Sequence, residues 1–115
     1  MKDIRIDIKP LSVNDAWKGQ RFKTDEYKTY ERSMLWLLPK MTLPPPPYKI
    51  YYEFGFSSEK SDYDNPCKPL GDILQKKYRF DDNEIYLAVV RKVIVKMGQD
   101  YVKFRIEHLQ VPEER

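Results

Sequence analysis

Four stretches of the chain have the apolar patterning of β-strands, and they constrain the fold more than any other feature. Apolar side chains recur at every second position of residues 4–8, 50–56 and 102–106, a period typical of strands with one buried face. Residues 85–96 are rich in β-branched side chains and predict the longest strand. The turn-forming residues 97–100 predict that this strand and the last one form a hairpin.

Two helical segments separate these strands. Thr24 is suited to cap the first helix, which Pro39 ends. Asn65 at the cap and Pro66 at the first helical position predict the start of the second, which runs to about Lys77. Apolar residues spaced three or four apart give each helix one buried face: Tyr27, Tyr30, Met34 and Leu37, then Leu70, Ile73 and Leu74. The order β-α-β-α-β-β predicts an α+β fold in which two helices pack on a small mixed sheet.

The scarcity of cysteine and histidine limits the chemistry that this chain can perform. Among its 115 residues, Cys67 and His108 are the only members of their types. One cysteine excludes an internal disulfide and a multi-cysteine zinc site, and one histidine nearly excludes Ser-His-Asp and Cys-His catalysis. The position of Cys67 near a helix N-terminus predicts a lowered thiol pKa, although we interpret this residue as structural. Carboxylates and lysines are therefore the groups left for catalysis.

The length predicts one domain, over residues 1–110, followed by a C-terminal tail over residues 111–115. No apolar run approaches the length of a membrane helix, and the first residues do not lead into a signal-peptide core. We therefore expect a cytoplasmic protein without a membrane segment.

Acidic residues are concentrated between the second strand and the longest one. Asp62 and Asp64 lie two residues apart in a segment expected to be extended, so their side chains should point the same way. Such carboxylates repel each other unless a cation lies between them, and their oxygens suit Mg²⁺ or Mn²⁺. Asp81 and Asp82 are expected to return near the start of the longest strand, where a third carboxylate would complete a metal site. The same residues are compatible with ordinary solvated turns, and the spacing leaves both interpretations open.

Lys68 lies four residues after Asp64, in the first turn of the second helix. Its ammonium group is expected to reach back over the acidic site, where it would neutralise a phosphate or hold a nucleophilic water. Asp72 follows Lys68 by four residues on the same helix face. We interpret Asp72 as an ion-pair partner that orients Lys68 rather than as a metal ligand.

Four segments, taken in order, resemble the RusA family of Holliday junction resolvases: residues 11–14, 62–68, 72–74 and 80–85. The family pattern has a proline close to the asparagine of its N-terminal loop, whereas here Pro10 lies four residues before Asn14. The resemblance covers nearly the whole chain. It implies a Mg²⁺-dependent homodimeric endonuclease, bacterial or phage-encoded, that cuts four-way branched DNA by paired nicks without a small-molecule cofactor.

By motif position, the resemblance assigns a role to each residue of the acidic segment. Asp62, Asp64 and Asp82 would be the catalytic, metal-binding acids, and Lys68 the essential lysine. Asp81 would be a further candidate ligand, and Asp72 a supporting residue. Two other functions stay open: a non-catalytic junction-binding DNA protein, and a nuclease of the same fold that acts on flap or nicked DNA.

Basic and aromatic residues next to the helices are candidate DNA contacts. The formal net charge of +3 permits binding to nucleic acid without requiring it. Residues 11–23 are expected to form a loop, whose aromatic side chains would either stack on bases or fill the edge of the core. Contacts to phosphates predict that DNA binding weakens steeply with salt. The candidates are Trp17, Lys18, Arg21, Phe22 and Lys23 in the loop, and Lys76, Lys77 and Arg79 at the end of the second helix.

Overall fold

The computed structural model describes residues 2–19 and 22–112. Arg21, one of the candidate DNA contacts, lies outside these residues, as does the end of the predicted tail, residues 113–115. The regular elements of the described part are β1 (Ile4–Ile6), β2 (Trp17–Lys18), β3 (Phe22–Lys23), α1 (Asp25–Leu37), β4 (Tyr48–Phe56), α2 (Cys67–Tyr78), β5 (Ile85–Ile94) and β6 (Tyr101–His108). Short 3₁₀ turns form at Val13–Asp15 and Asp82–Glu84.

The main sheet is mixed, in the strand order β1-β6-β4-β5. β4 runs parallel to β5 and antiparallel to β6, which in turn pairs antiparallel with β1. The crossover between the two parallel strands is made by α2, as parallel pairing requires. The predicted α+β class, with two helices and a small mixed sheet, is confirmed.

The predicted hairpin between the last two long strands is wrong, because β4 lies between β5 and β6. Residues 97–100 do form a turn, with Gly98 at a φ of 82°, but the connection passes the end of β4. Val95 N–H donates to the carbonyl of Phe56 at 2.8 Å, and Ser57 N–H donates to Asp100 Oδ2 at 3.2 Å. The apolar β4 takes the central position, where both of its edges are paired and its alternate side chains are buried.

The segment predicted as a loop, residues 11–23, contains more structure than expected. After the 3₁₀ turn, β2 and β3 form a two-stranded hairpin in which Trp17 pairs with Lys23. Gly19, with a φ of 64°, lies in the connection. Strands of two residues are too short to produce an alternating pattern, so the prediction had no signal to detect them.

The two helix starts differ in how well the sequence predicted them. Thr24 caps α1 as expected, accepting a hydrogen bond from Tyr27 N–H through Oγ1 at 3.1 Å. The prediction of Asn65 as the cap of α2 is wrong by one residue, because Pro66 occupies that position and makes no side-chain cap. The Asn65 amide instead donates to Asp62 Oδ2 at 3.3 Å. This hydrogen bond connects the loop that carries Asp62 and Asp64 to the start of α2.

The core lies between the two helices and one face of the sheet. Most of its buried side chains follow the predicted periods: Tyr27, Tyr30 and Met34 of α1; Leu70, Ile73 and Leu74 of α2; Tyr48, Ile50, Tyr52, Phe54 and Phe56 of β4; Val102, Phe104 and Ile106 of β6. The prediction of Leu37 on the buried face of α1 is wrong, because the helix ends there: Leu37 is exposed, and Leu38, which follows in extended conformation, is buried instead. On the sheet itself, Glu53 accepts a hydrogen bond from the hydroxyl of Tyr101 at 2.7 Å and pairs with Lys103 at 2.9 Å. None of the described helices has the length and apolar character needed to cross a membrane.

Candidate functional site

A cavity of about 290 Å³ between α2, β4 and the start of β5 gathers several of the predicted site residues. We call it the Lys68 cavity. The helical spacing of α2 places Lys68 and Asp72 along one wall, and the turn before β5 supplies Asp82 on another. The full lining is Ile50, Tyr52, Cys67, Lys68, Gly71, Asp72, Gln75, Asp82, Ile85 and Ala88.

Lys68 and Asp72 form the ion pair that their spacing predicts. Lys68 Nζ lies 3.0 Å from Asp72 Oδ1, and the lysine side chain stays largely exposed. An exposed pair of this kind adds only about 0.3–0.5 kcal/mol to stability. Its contribution is therefore mainly positional, because it holds the ammonium group at the mouth of the cavity.

The two adjacent acids before β5 have different surroundings. Asp81 caps the 3₁₀ turn, with its Oδ1 accepting from Asn83 N–H at 3.1 Å. Glu84 closes the reciprocal capping box by accepting from Asp81 N–H at 2.9 Å. Asp82 lines the Lys68 cavity, and within the described residues its exposed carboxylate forms no hydrogen bond or ion pair. Of Asp81 and Asp82, Asp82 is therefore the acid whose carboxylate is free to bind a ligand.

Asp62 and Asp64 occupy different surroundings, because the chain bends at residues 63–64 and the predicted extended segment is absent. Asp64 acts electrostatically on Cys67, a lining residue of the Lys68 cavity. Asp62 borders a larger hollow of about 970 Å³ that Asn14 also lines. We call this second space the Asn14 hollow. Its wall is fixed by a hydrogen bond of 2.9 Å from Val13 N–H to the carbonyl of Asn65.

The donor chemistry of the acidic residues fits a hard divalent cation, although they are not all gathered at one point. Asp64 and Asp82 have exposed carboxylates with no hydrogen-bond or ion-pair partner among residues 2–19 and 22–112. Carboxylate oxygens of this kind are the ligands that Mg²⁺ prefers. In the same described ranges, no group of three or more acidic, histidine or cysteine side chains is arranged to hold a metal ion.

Tyr52 is a cavity residue that the sequence did not single out. The alternating pattern placed it on the buried face of β4, and it is buried there. Burial raises the pKa of its hydroxyl well above the usual value, and the nearby Cys67 and Asp82 raise it further. The hydroxyl approaches α2 at Gly71, where a β-carbon would lie 3.3 Å from the oxygen. Tyr52 therefore stays protonated and presents a hydrogen-bond donor, a role that only the packing of α2 on β4 reveals.

Cys67 differs from its predicted behaviour. We expected the N-terminus of α2 to lower its thiol pKa, but burial, together with the charge of Asp64, raises that pKa from 9.0 to about 11. The prediction was wrong because it considered only the helix terminus and neither the partial burial nor the neighbouring carboxylate. A thiol with this pKa is a poor nucleophile at neutral pH, which agrees with its interpretation as structural.

The raised pKa predicts slow alkylation of Cys67. At about pH 8 its thiolate fraction, and hence its rate with iodoacetamide, should be roughly a hundredfold below that of the unfolded chain in urea. The rate should keep rising up to about pH 11, and because the unfolded thiol ionises from 9.0, folding stability should fall across this interval. Mass spectrometry of the alkylated protein measures the rate. A plateau close to pH 9.0 would contradict the raised value.

The aromatic residues near the N-terminal hairpin lie in different environments. Trp17 packs edge-to-face on Tyr27, with ring centroids 5.4 Å apart, at the periphery of the core. Phe22 is 71% exposed. Phe22 rather than Trp17 therefore offers the open ring face that stacking on a base requires.

Several of the candidate DNA-binding cations already have partners. Lys23 and Lys76 both pair with Glu31, at 3.0 and 3.4 Å. Burial alone would raise the pKa of Glu31, but the hydrogen bonds and charges of the two lysines outweigh it and lower that pKa. Lys77 donates to the carbonyl of Leu35 at 3.2 Å. Glu31 thus joins the hairpin and α2 into one surface on which several basic groups lie close together.

The other two candidate DNA-binding cations that the structure describes, Lys18 and Arg79, are both exposed. Lys18 lies exposed on β2. Arg79, also exposed, ends α2 in the left-handed conformation with a φ of 56°, and its N–H donates to the carbonyl of Gln75 at 2.9 Å. Both side chains are therefore presented to solvent beside the helix and hairpin that carry the paired lysines.

In comparisons with known proteins, no protein-family model matches the chain, and no curated protein is significantly similar to it.

Proposed function

We propose that this chain is a Mg²⁺-dependent endonuclease of the RusA type, a homodimer that resolves four-way DNA junctions by paired symmetric nicks in recombination and repair. The observation that carries the proposal is the meeting of Lys68, Asp72 and Asp82 at one cavity. These residues come from separate motifs and lie up to 14 positions apart in the sequence. Asp64, whose charge acts on the cavity residue Cys67, adds a fourth member of the motif set.

Each residue of the site has a defined chemical role in this proposal. Asp64 and Asp82, together with Asp62, would hold Mg²⁺ or Mn²⁺, with Asp81 retained as a capping residue. When bound, the ion would supply a Lewis acid for phosphodiester hydrolysis. The ammonium of Lys68, positioned by Asp72, would neutralise charge that develops on the phosphate. Water is the nucleophile in this chemistry, in keeping with the high pKa of Cys67.

DNA would be held by the basic surface around the hairpin and the end of α2. The exposed Lys18 and Arg79 would contact phosphates, as would Lys77. Lys23 and Lys76 would join them when a phosphate competes with Glu31 for their ammonium groups. Phe22 is the exposed aromatic side chain of this surface and the best placed to stack on an unpaired base.

A non-catalytic junction-binding protein is the second candidate. The observation that favours it is the separation of the acids, since Asp62 borders the Asn14 hollow while Asp82 lines the Lys68 cavity. If these acids cannot bind one metal ion together, the protein would bind branched DNA without cutting it.

Incubation of a labelled four-way junction with Mg²⁺, Mn²⁺, Ca²⁺ or EDTA distinguishes these functions. We expect paired, symmetric nicks with Mg²⁺ or Mn²⁺ and none with EDTA, because the carboxylates require a catalytic cation. Binding without cleavage in Mg²⁺ would support the junction-binding alternative. Cleavage of flap or nicked substrates, without paired nicks in the junction, would instead indicate a nuclease of the same fold with a different substrate.

A further inference from the structure

The outer edge of the sheet at β5 is long, apolar and unpaired. β5 spans ten residues and pairs only with β4 within the described residues. Its first six residues, 85–90, carry no charge. Three of the large apolar side chains in this stretch are well exposed: Tyr86 (64%), Leu87 (43%) and Val89 (42%).

Edge strands in monomeric proteins are usually protected against pairing by shortness, charge or proline. The opposite edge of this sheet follows that rule, because β1 has three residues and its Arg5 pairs with Asp7 at 2.9 Å. Residues 85–90 have none of these protections. A free ladder of backbone groups beside exposed apolar side chains is the pattern of a strand that is covered by another chain.

We propose that β5 pairs antiparallel with β5 of a second copy of this chain, so that one continuous sheet runs through the homodimer. The distribution of charge favours this partner and this direction. The turn before β5 is acidic, with Asp81 and Asp82 exposed, whereas its end is basic, with Arg91 and Lys96 exposed. Antiparallel self-pairing brings the acidic start of each strand beside the basic end of the other, while parallel pairing would bring like charges together.

This arrangement also has a consequence for the site, and here the inference rests on the proposed function. Ile85 and Ala88 of β5 line the Lys68 cavity, so the interface would begin at the cavity wall. An antiparallel pair of identical strands has its two-fold axis perpendicular to the sheet. Both cavities would therefore open on the same face of the joined sheet, as paired nicks in one junction require.

The molecular mass in solution tests the interface independently of cleavage. We expect sedimentation equilibrium of the wild-type chain to give twice the chain mass, and Val89→Asp to give the mass of one chain, because a buried carboxylate in the pairing edge opposes association. Val111→Asp is the matched control, since Val111 is the same residue type, is exposed to a similar degree and lies outside β5. The control should remain dimeric, and circular dichroism should show that both variants are folded.

If Val89→Asp does not fold, cysteine cross-linking tests the same interface by a second route. In a Cys67→Ser background, Val89→Cys near the middle of β5 should form an intermolecular disulfide on mild oxidation, because opposed antiparallel residues lie about 4.5–5.5 Å apart, within disulfide range. Met97→Cys should not. A monomeric wild-type chain, or a dimer in which Val89→Asp remains dimeric and Val89→Cys does not cross-link, would overturn the interface. Cleavage is measured separately, so a dimer of this kind without nuclease activity would contradict only the proposed function.

Discussion

Asp64→Asn is expected to lower the Mg²⁺-dependent cleavage of a four-way junction by on the order of a thousandfold. The amide keeps the size of the side chain but removes the negative charge that a cation requires. Junction affinity should change little, because within the described residues the Asp64 carboxylate pairs with none of the lysines and arginines that would hold the DNA backbone. Single-turnover cleavage in Mg²⁺ and equilibrium binding in Ca²⁺ measure the two effects separately.

Asp7→Asn is the matched control for this variant. Asp7 carries an exposed carboxylate that pairs with Arg5, and it lines neither the Lys68 cavity nor the Asn14 hollow. Its cleavage rate should equal that of the wild type. Wild-type cleavage by Asp64→Asn would remove this acid from the proposed metal site, and a parallel loss of binding would indicate a structural defect instead.

Alkylation of Cys67 gives the same variant a second readout that does not depend on cleavage. The charge of Asp64 contributes to the raised thiol pKa. Removal of that charge should therefore increase the alkylation rate of the folded protein. An unchanged rate in Asp64→Asn would show that the two side chains are not coupled.

The elements of this fold could be predicted from the sequence where their signals are local. The alternation at residues 50–56 identified β4, and the Thr24 cap identified the start of α1. The order of the strands could not be predicted in the same way. The turn at residues 97–100 is real, but whether it joins neighbouring strands depends on where β4 lies, and contacts between distant segments decide that position.

In the candidate site, too, contacts between residues close in the sequence could be predicted, whereas contacts between distant segments could not. Helical spacing alone predicted the pair of Lys68 and Asp72, because residues four apart meet on a helix face. The different surroundings of Asp62 and Asp82, and the cavity position of Tyr52, depend on how α2 packs against β4. The pattern of residue types in the sequence does not by itself show how these two elements pack.

Gly55→Ala is expected to be the most destabilising conservative change in the sheet, lowering the free energy of unfolding by about 3 kcal/mol. A β-carbon at Gly55 would overlap Cδ1 and Cε1 of the Tyr101 ring, which lies opposite on β6. The ring cannot move aside freely. The Arg5 guanidinium lies 3.9 Å from its centroid, and its hydroxyl donates to Glu53 at 2.7 Å. Urea denaturation measures the change, and the melting temperature should fall by roughly 15 °C.

A double-mutant cycle with Tyr101→Ala identifies the cause of this loss. Without the ring, a β-carbon at Gly55 no longer overlaps the atoms closest to it. The change in unfolding free energy caused by Gly55→Ala in this background should then be neutral or stabilising by up to about 1 kcal/mol. The coupling energy between the two positions would then equal nearly the whole effect of the single variant. Strictly additive costs would contradict this explanation, because they would mean that Gly55 is required by its backbone and not by the Tyr101 ring that covers it.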